Sequence, residues 1–242
     1  MLLDYELLLL DLDGTLIDFQ RAESEALRVV YQRWFTGLLD LETFTREFTR
    51  VNRSLWTRYR LGTLALPELR RLRCSAIGTM FQELKIKVSA TVVETFFEDI
   101  LATNVYVFDD SIDVLERLRS SHELCLVSNG ITATQRKKAE QAGIARFFKQ
   151  ILISEEVGAP KPNGEIFRKA LRSCSASALR TLMIGDSLET DFVGAQHAGI
   201  DFCWVNRGRE SLPPGYSNPK FIVKTLRELI KGPRKLYKRF RR

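Results

Sequence analysis

The run Leu7-Leu8-Leu9-Leu10 has no polar residue to offer to a solvent face, so a strand built from it must be covered on both sides. It ends abruptly in Asp11-Leu12-Asp13-Gly14-Thr15. Carboxylates two residues apart point the same way for as long as the chain stays extended. Like charges so placed repel, and a hard cation bridging carboxylate and phosphate would offset the repulsion. This segment predicts a buried strand with an acidic, cation-seeking end.

Four further apolar runs have the same character: Leu124–Val127, Ile151–Ile153, Leu182–Ile184 and Phe202–Val205. Helical patterns separate most of them, at Asp113–Arg119, Thr132–Ala142, Ile166–Cys174 and Thr190–Ala198, and Gly143 and Gly199 stand where C-terminal caps belong. Strands alternating with helices predict an α/β fold with an open parallel sheet. The alternation stops between Asp18 and about Val107. There the patterns are helical and rich in aromatics and arginines: Glu23–Phe35, Leu41–Trp56, Glu68–Leu84 and Thr91–Ala102, with a break marked by Gly62 and Pro67. A helical insert at the carboxyl end of the first strand would lie over any site there.

The 242 residues allow one or two domains with a sizeable core. Cys74, Cys125, Cys174 and Cys203 are widely spaced with no CxxC pair, which points to reduced thiols and a cytoplasmic location. The apolar opening carries Asp4 and Glu6 and reads as a strand rather than a leader, and no apolar run approaches the ~18 residues of a membrane span. The net charge of +7 comes from residues 231–242, which hold seven basic residues and no acid, while the other 30 basic residues balance 30 acidic ones. Such a basic tail is either a solvated end or a contact for RNA or an anionic lipid surface.

Three of the apolar runs end in groups suited to phosphate chemistry: Asp11 and Asp13, then Ser128-Asn129-Gly130, then Gly185-Asp186-Ser187 with Asp191 beyond. Ligands of an open parallel sheet bind outside the carboxyl ends of its strands, so these clusters would meet. Pro160-Lys161-Pro162 adds a lysine on stiffened backbone. By charge, Asp11, Asp186 and Asp191 are candidate ligands for Mg²⁺. Ser128 and Asn129 are candidates to bind phosphate, and Lys161 supplies positive charge to the transferring group. Asp13 could protonate a leaving alcohol and then deprotonate water.

These motifs, in this order, resemble those of the haloacid dehalogenase-like hydrolases, over essentially the whole chain. The resemblance implies a Rossmann-like core (residues 1–17 and 108–230), a helical cap (18–107) and the tail (231–242). It also implies that Asp11 is a nucleophile forming an aspartyl-phosphate, that Asp13 is the acid/base, and that Mg²⁺ is held by Asp11, the Asp13 carbonyl and Asp186. Asp191 would then orient metal waters or Lys161. Branches of the family that act on carbon–halogen or carbon–phosphorus bonds lack an aspartate at the position of Asp13, so phosphate monoester hydrolysis is the implied reaction.

Val51-Asn52-Arg53-Ser54-Leu55-Trp56 and Ile153-Ser154-Glu155-Glu156-Val157-Gly158 further resemble bacterial pyrimidine 5′-nucleotidases, which implies deoxyuridine, thymidine and uridine monophosphates as substrates. Asn52 and Trp56 share a helix face, so one could bond a pyrimidine edge while the other stacks on the ring, with Phe19 as a further wall. One departure is Phe108-Asp109-Asp110-Ser111, where relatives often carry a Pro-Gly turn; Asp109 and Asp110 read as turn and N-cap residues, not metal ligands. Two alternatives stay open: a phosphatase for small metabolites such as phosphoglycolate or sugar phosphates, or a non-catalytic phosphate-binding protein tethered by the tail. No obligatory nucleic acid is implied, and a monomer or small homo-oligomer is expected.

Overall fold

The computed structural model describes residues 2–230; the basic segment 231–242 and its expected surface contacts lie outside them. Six parallel strands form one sheet in the order β3-β2-β1-β4-β5-β6. They are β1 (Leu7–Leu10), β2 (Glu123–Ser128), β3 (Gln150–Ile153), β4 (Thr181–Gly185), β5 (Asp201–Val205) and β6 (Phe221–Val223). The all-leucine strand lies between β2 and β4, and all four of its residues are buried. Alternate residues feed opposite layers, as the two-residue period of a strand requires. Leu8 and Leu10 pack toward α5 (Ser111–Leu118) and α6 (Thr132–Gln141), and Leu7 and Leu9 toward α8 (Gly164–Cys174) and α9 (Val193–His197). The short α7 (Ser154–Val157) follows β3, and α10 (Arg227–Ile230) completes the first layer through Leu229.

The expected helix at Thr190–Ala198 is divided into a π-turn over Leu188–Phe192 and then α9. The sixth strand had no sequence expectation. Three residues with two only half-buried carry too little apolar signal, and their place at the sheet edge explains the half-burial.

Between β1 and α5 the chain forms α1 (Phe19–Trp34), α2 (Leu41–Arg60), α3 (Leu66–Glu83) and α4 (Ala90–Thr103). Asp18 and Asp40 cap the first two, accepting from the N–H groups of Arg21 and Thr43. The helices bury their own core, in which Phe35, Phe44, Phe48, Phe81 and Phe97 meet. The two chain crossings between sheet and helices run side by side: Asp18 N–H donates to the Tyr106 carbonyl at 2.7 Å and Phe108 N–H to the Leu16 carbonyl at 3.1 Å. Side-chain hydrogen bonds fasten these helices to the layer beside the sheet. Tyr59 on α2 donates to Ser154 Oγ at 2.9 Å, and Thr134 on α6 donates to Glu98 Oε2 on α4 at 2.9 Å.

Asp110 stands at the N-cap position of α5, as the sequence suggested, but its carboxylate makes no cap bond. It instead accepts from Leu226 N–H at 2.7 Å and Arg207 at 2.9 Å, joining α5 to the segment after β6. Removing one partner of a buried ion pair strands the other. Asp110→Ala is therefore expected to cost about 3 kcal/mol and lower Tm by roughly 6–12 °C in thermal denaturation. A loss below about 1 °C would contradict this account of the junction.

Candidate active site

The carboxyl ends of β1, β2 and β4 converge at one end of the sheet, beneath α1 to α4, and line a cavity of about 390 Å³. Asp11 enters it directly from β1, where continuation of the strand gives its N–H to the Ile184 carbonyl at 3.0 Å. Lys161 arrives from the loop before α8 and is almost fully buried. Its ammonium donates to Asp11 Oδ1 at 2.5 Å and the Val127 carbonyl at 2.9 Å, and pairs with Asp191 Oδ1 at 2.8 Å. Burial would lower the proton affinity of this amine, but the two carboxylates overcome that and hold it above its ordinary range.

Asp191, fully buried in the π-turn, also accepts from Ser187 N–H at 3.2 Å. It fits only because Gly185 is a glycine, since a Cβ there would stand 2.2 Å from Asp191 Oδ2. Asp186 accepts from Thr15 Oγ1 at 3.0 Å, and its main-chain carbonyl from the Trp204 indole at 2.9 Å. Gly14 makes the matching allowance. Its φ of +88° suits glycine, and a Cβ would lie 2.3 Å from Asp186 Oδ2.

Asp11, Asp186 and Asp191 each offer a carboxylate oxygen, and these oxygens lie within 4.8 Å of one another. Burial raises the Asp11 carboxyl well above its usual range, against the pull of Lys161. Burial and then the Asp191 charge push Asp186 to about 6. One ammonium among three carboxylates leaves excess negative charge, and hard oxygens so grouped fit a divalent cation such as Mg²⁺. The Asp13 carboxylate stands apart from this group. It accepts from Lys138 at 3.0 and 3.1 Å and from Gln135 at 2.8 Å, leaving only its main-chain carbonyl for a metal.

Ser128 is buried at the end of β2, with its hydroxyl held by Gln135 Nε2 at 2.7 Å. Asn129 differs from expectation. Its side chain accepts from Lys161 N–H at 2.8 Å and donates to the Lys161 carbonyl at 2.9 Å, so its amide fixes the lysine's backbone instead of facing a phosphate. The cap-side candidates Phe19, Asn52 and Trp56 all line the cavity. Asn52 is buried, donates to Glu23 Oε1 at 3.2 Å and accepts from Arg73 at 3.3 Å. Trp56 packs edge-on against Tyr59, with ring centroids 5.5 Å apart.

Gln135, Lys138, Glu23, Arg73 and Glu98 also line the cavity and were missed from sequence. Arg73 is buried against Glu94, at 2.6 Å, and Glu98. A legible signal existed for Gln135 and Lys138, which are three apart on the helix directly after Ser128-Asn129-Gly130 and so share its face.

The family model for haloacid dehalogenase-like hydrolases matches residues 5–199, most of the chain. The chain belongs to that family. It is 32% identical over 226 residues to the HAD-hydrolase YfnB of Bacillus subtilis, covering 93% of this chain and 94% of that protein. The magnesium-bound crystal structure of YfnB superposes with a TM-score of 0.79 at 29% identity, over 93% of this chain and 96% of that one. The pyrimidine 5′-nucleotidase PynA of Streptococcus pneumoniae is 32% identical, covering 84% of both chains. The pyrimidine 5′-nucleotidase YjjG of Escherichia coli is 31% identical, over 81% of this chain and 88% of that one. The six-stranded parallel sheet with flanking helices is thus the Rossmann-like fold of this hydrolase family. No described helix is long and apolar enough to cross a membrane.

A carboxyl raised to about 6 in the fold, against 3.8 ordinarily, binds its proton more tightly folded than unfolded. Its stabilising contribution is present in acid and is lost as pH rises through about 6, so metal-free protein carries a penalty at neutral pH. A divalent cation offsets that penalty, while protons compete with it below. Saturating Mg²⁺ is expected to raise Tm by several degrees at pH 7.5 and by much less at pH 5. Asp186→Asn should raise the metal-free Tm at pH 7.5 by about 2–5 °C and abolish the Mg²⁺ response. An equal Mg²⁺ shift at both pH values would contradict the electrostatic account.

Proposed function

We propose that this protein is a Mg²⁺-dependent phosphomonoester hydrolase acting through an aspartyl-phosphate, and that its substrates are pyrimidine (deoxy)nucleoside monophosphates such as dUMP, dTMP and UMP. The observation that carries the reaction class is the buried carboxylate Asp11 bonded to Lys161, with carboxylate oxygens of Asp186 and Asp191 within 4.8 Å, at the floor of the cavity. The nucleotidase relatives PynA and YjjG, and the cavity position of Asn52 and Trp56, support the substrate class.

In this reading Asp11 attacks phosphorus, the bond to the ester oxygen breaks, and Asp13 gives its proton to the departing alcohol. Water then attacks phosphorus and gives a proton to Asp13, while the bond to Asp11 breaks and inorganic phosphate leaves. Asp11, Asp186 and the Asp13 carbonyl would hold Mg²⁺, which when bound withdraws negative charge from the phosphate and the attacking carboxylate. Lys161 neutralises the same charge from the protein side, kept in register by Asn129 and Asp191. Ser128 donates to a phosphate oxygen. Residues 18–107 act as a cap whose polar wall, Asn52 held between Glu23 and Arg73, faces the base. An amide fixed from both sides keeps one donor and one acceptor for a pyrimidine edge.

The test is phosphate release, with and without Mg²⁺, from dUMP, dTMP, UMP, AMP and GMP beside phosphoglycolate and glucose 6-phosphate. Pyrimidine nucleotides are expected to be preferred by at least about tenfold in kcat/KM, equivalent to about 1.4 kcal/mol at the transition state. Preference for phosphoglycolate or a sugar phosphate would discard the substrate class and keep the mechanism. Asp11→Asn is expected to fold normally and lose turnover by more than about 10³-fold, and retained activity would sink the nucleophile assignment.

A further inference from the structure

Asp13 is served by a different lysine from Asp11. Both of its carboxylate oxygens accept from the Lys138 ammonium, at 3.0 and 3.1 Å. Lys138 stands among Arg136, Lys137 and Glu140 on α6 and could have reached water, yet its side chain is only 3% exposed. Taking an ammonium out of water is costly unless a partner compensates, and here the carboxylate that accepts its hydrogen bonds is Asp13. The Phe19 ring covers the ammonium from 4.7 Å. Glu23 is the other carboxylate whose charge Lys138 offsets. One turn earlier, Gln135 Nε2 reaches Asp13 Oδ2 at 2.8 Å, Ser128 Oγ at 2.7 Å and the Asn129 carbonyl at 3.2 Å. One buried amide therefore ties the Asp13 carboxylate to the Ser128 hydroxyl.

We infer that Lys138 is a positioning residue for Asp13, and that Gln135 sets the same carboxylate against Ser128. The inference rests on the reading of Asp13 as the group that protonates the leaving alcohol. Proton transfer needs the heavy atoms within about 2.6–3.2 Å. A free aspartate turns about two torsions. Contact of both oxygens with one ammonium, plus the Gln135 bond, fixes the plane and depth of the carboxylate. A displacement of about 1 Å can cost about 100-fold in rate.

Leaving-group dependence separates this role from a merely structural one. Nitrophenolate departs without a proton, whereas an alkoxide needs one. The test compares kcat/KM, which reports the first phosphoryl transfer, for p-nitrophenyl phosphate and for the best alkyl ester found in the substrate panel. Lys138→Met is expected to lower kcat/KM about 30- to 100-fold on the alkyl ester and less than about threefold on p-nitrophenyl phosphate. Lys138→Arg should recover most of the loss. Asp13→Asn, run in parallel, should show the same asymmetry more strongly. If Asp13→Asn discriminates between the esters and Lys138→Met lowers both equally, the inference is overturned. If Asp13→Asn does not discriminate, the reading of Asp13 itself fails. Where Lys138→Met does not fold, Gln135→Met removes a bond to Asp13 without touching the charge; it also frees Ser128 and so lowers kcat/KM on both esters, and a distinctly larger loss on the alkyl ester supports the inference while an equal loss on both overturns it.

Discussion

The ammonium of Lys161 stands between Asp11 and Asp191, at 2.5 and 2.8 Å, with no solvent to share the charge. Lys161 is the cation that offsets the burial of both carboxylates, and replacing it would leave two buried acids without a partner at a cost of several kcal/mol. Much of the local architecture serves the triad. Asn129 clamps the lysine's main chain on both sides, Gly185 clears space for Asp191, and the Val127 carbonyl takes a further ammonium proton. The arrangement is electrostatically incomplete, because Asp186 adds a third carboxylate without a matching cation. A bound divalent ion would offset that charge, as the proposed phosphate chemistry requires.

The cavity closes only because the inserted helices lie over the strand ends. Their own aromatic core makes them a packed unit, while Tyr59–Ser154 and Thr134–Glu98 anchor that unit to the neighbouring α7 and α6 beside the sheet. In the proposed function, chemistry and recognition then fall on different parts of the chain. The charged triad belongs to the sheet, and Asn52, Trp56 and Arg73 belong to the insert. Lys138 lies at the join, on a sheet-flanking helix but packed beneath Phe19 of the insert. The proposed acid/base therefore depends on the insert being in place.

How much of this was legible in sequence follows from what each signal depends on. The five long strands were readable because unbroken apolar runs can only be buried on both faces, and the ends of three of them carried the acids, the serine and the asparagine. The edge strand Phe221–Val223 was not, because three residues at a half-exposed edge leave no periodicity to detect. The insert's helices were readable from their spacing, but their inward faces were not. Of Arg70, Arg71 and Arg73, only Arg73 is buried, and its acidic partners Glu94 and Glu98 come from a different helix. The Asp110 carboxylate likewise finds its partners about a hundred residues away. Asn129 was placed at the right point, but the direction of its amide depends on where the loop carrying Lys161 comes to rest. Family resemblance and charge pattern locate a site well. Which side chain touches which is decided by tertiary contacts.

The central claim is that Asp11 carries the phosphoryl group between two half-reactions. The most direct measurement is acid quenching during steady-state turnover of a phosphate ester with Mg²⁺, followed by proteolysis and mass spectrometry of the acid-stable fragments. The account expects phosphoryl mass on the peptide containing Asp11, at that residue, and its disappearance when Mg²⁺ is withheld. Turnover with the phosphoryl group on another residue, or with no covalent species in the wild-type protein under conditions where a control aspartyl-phosphate survives the quench, would contradict it.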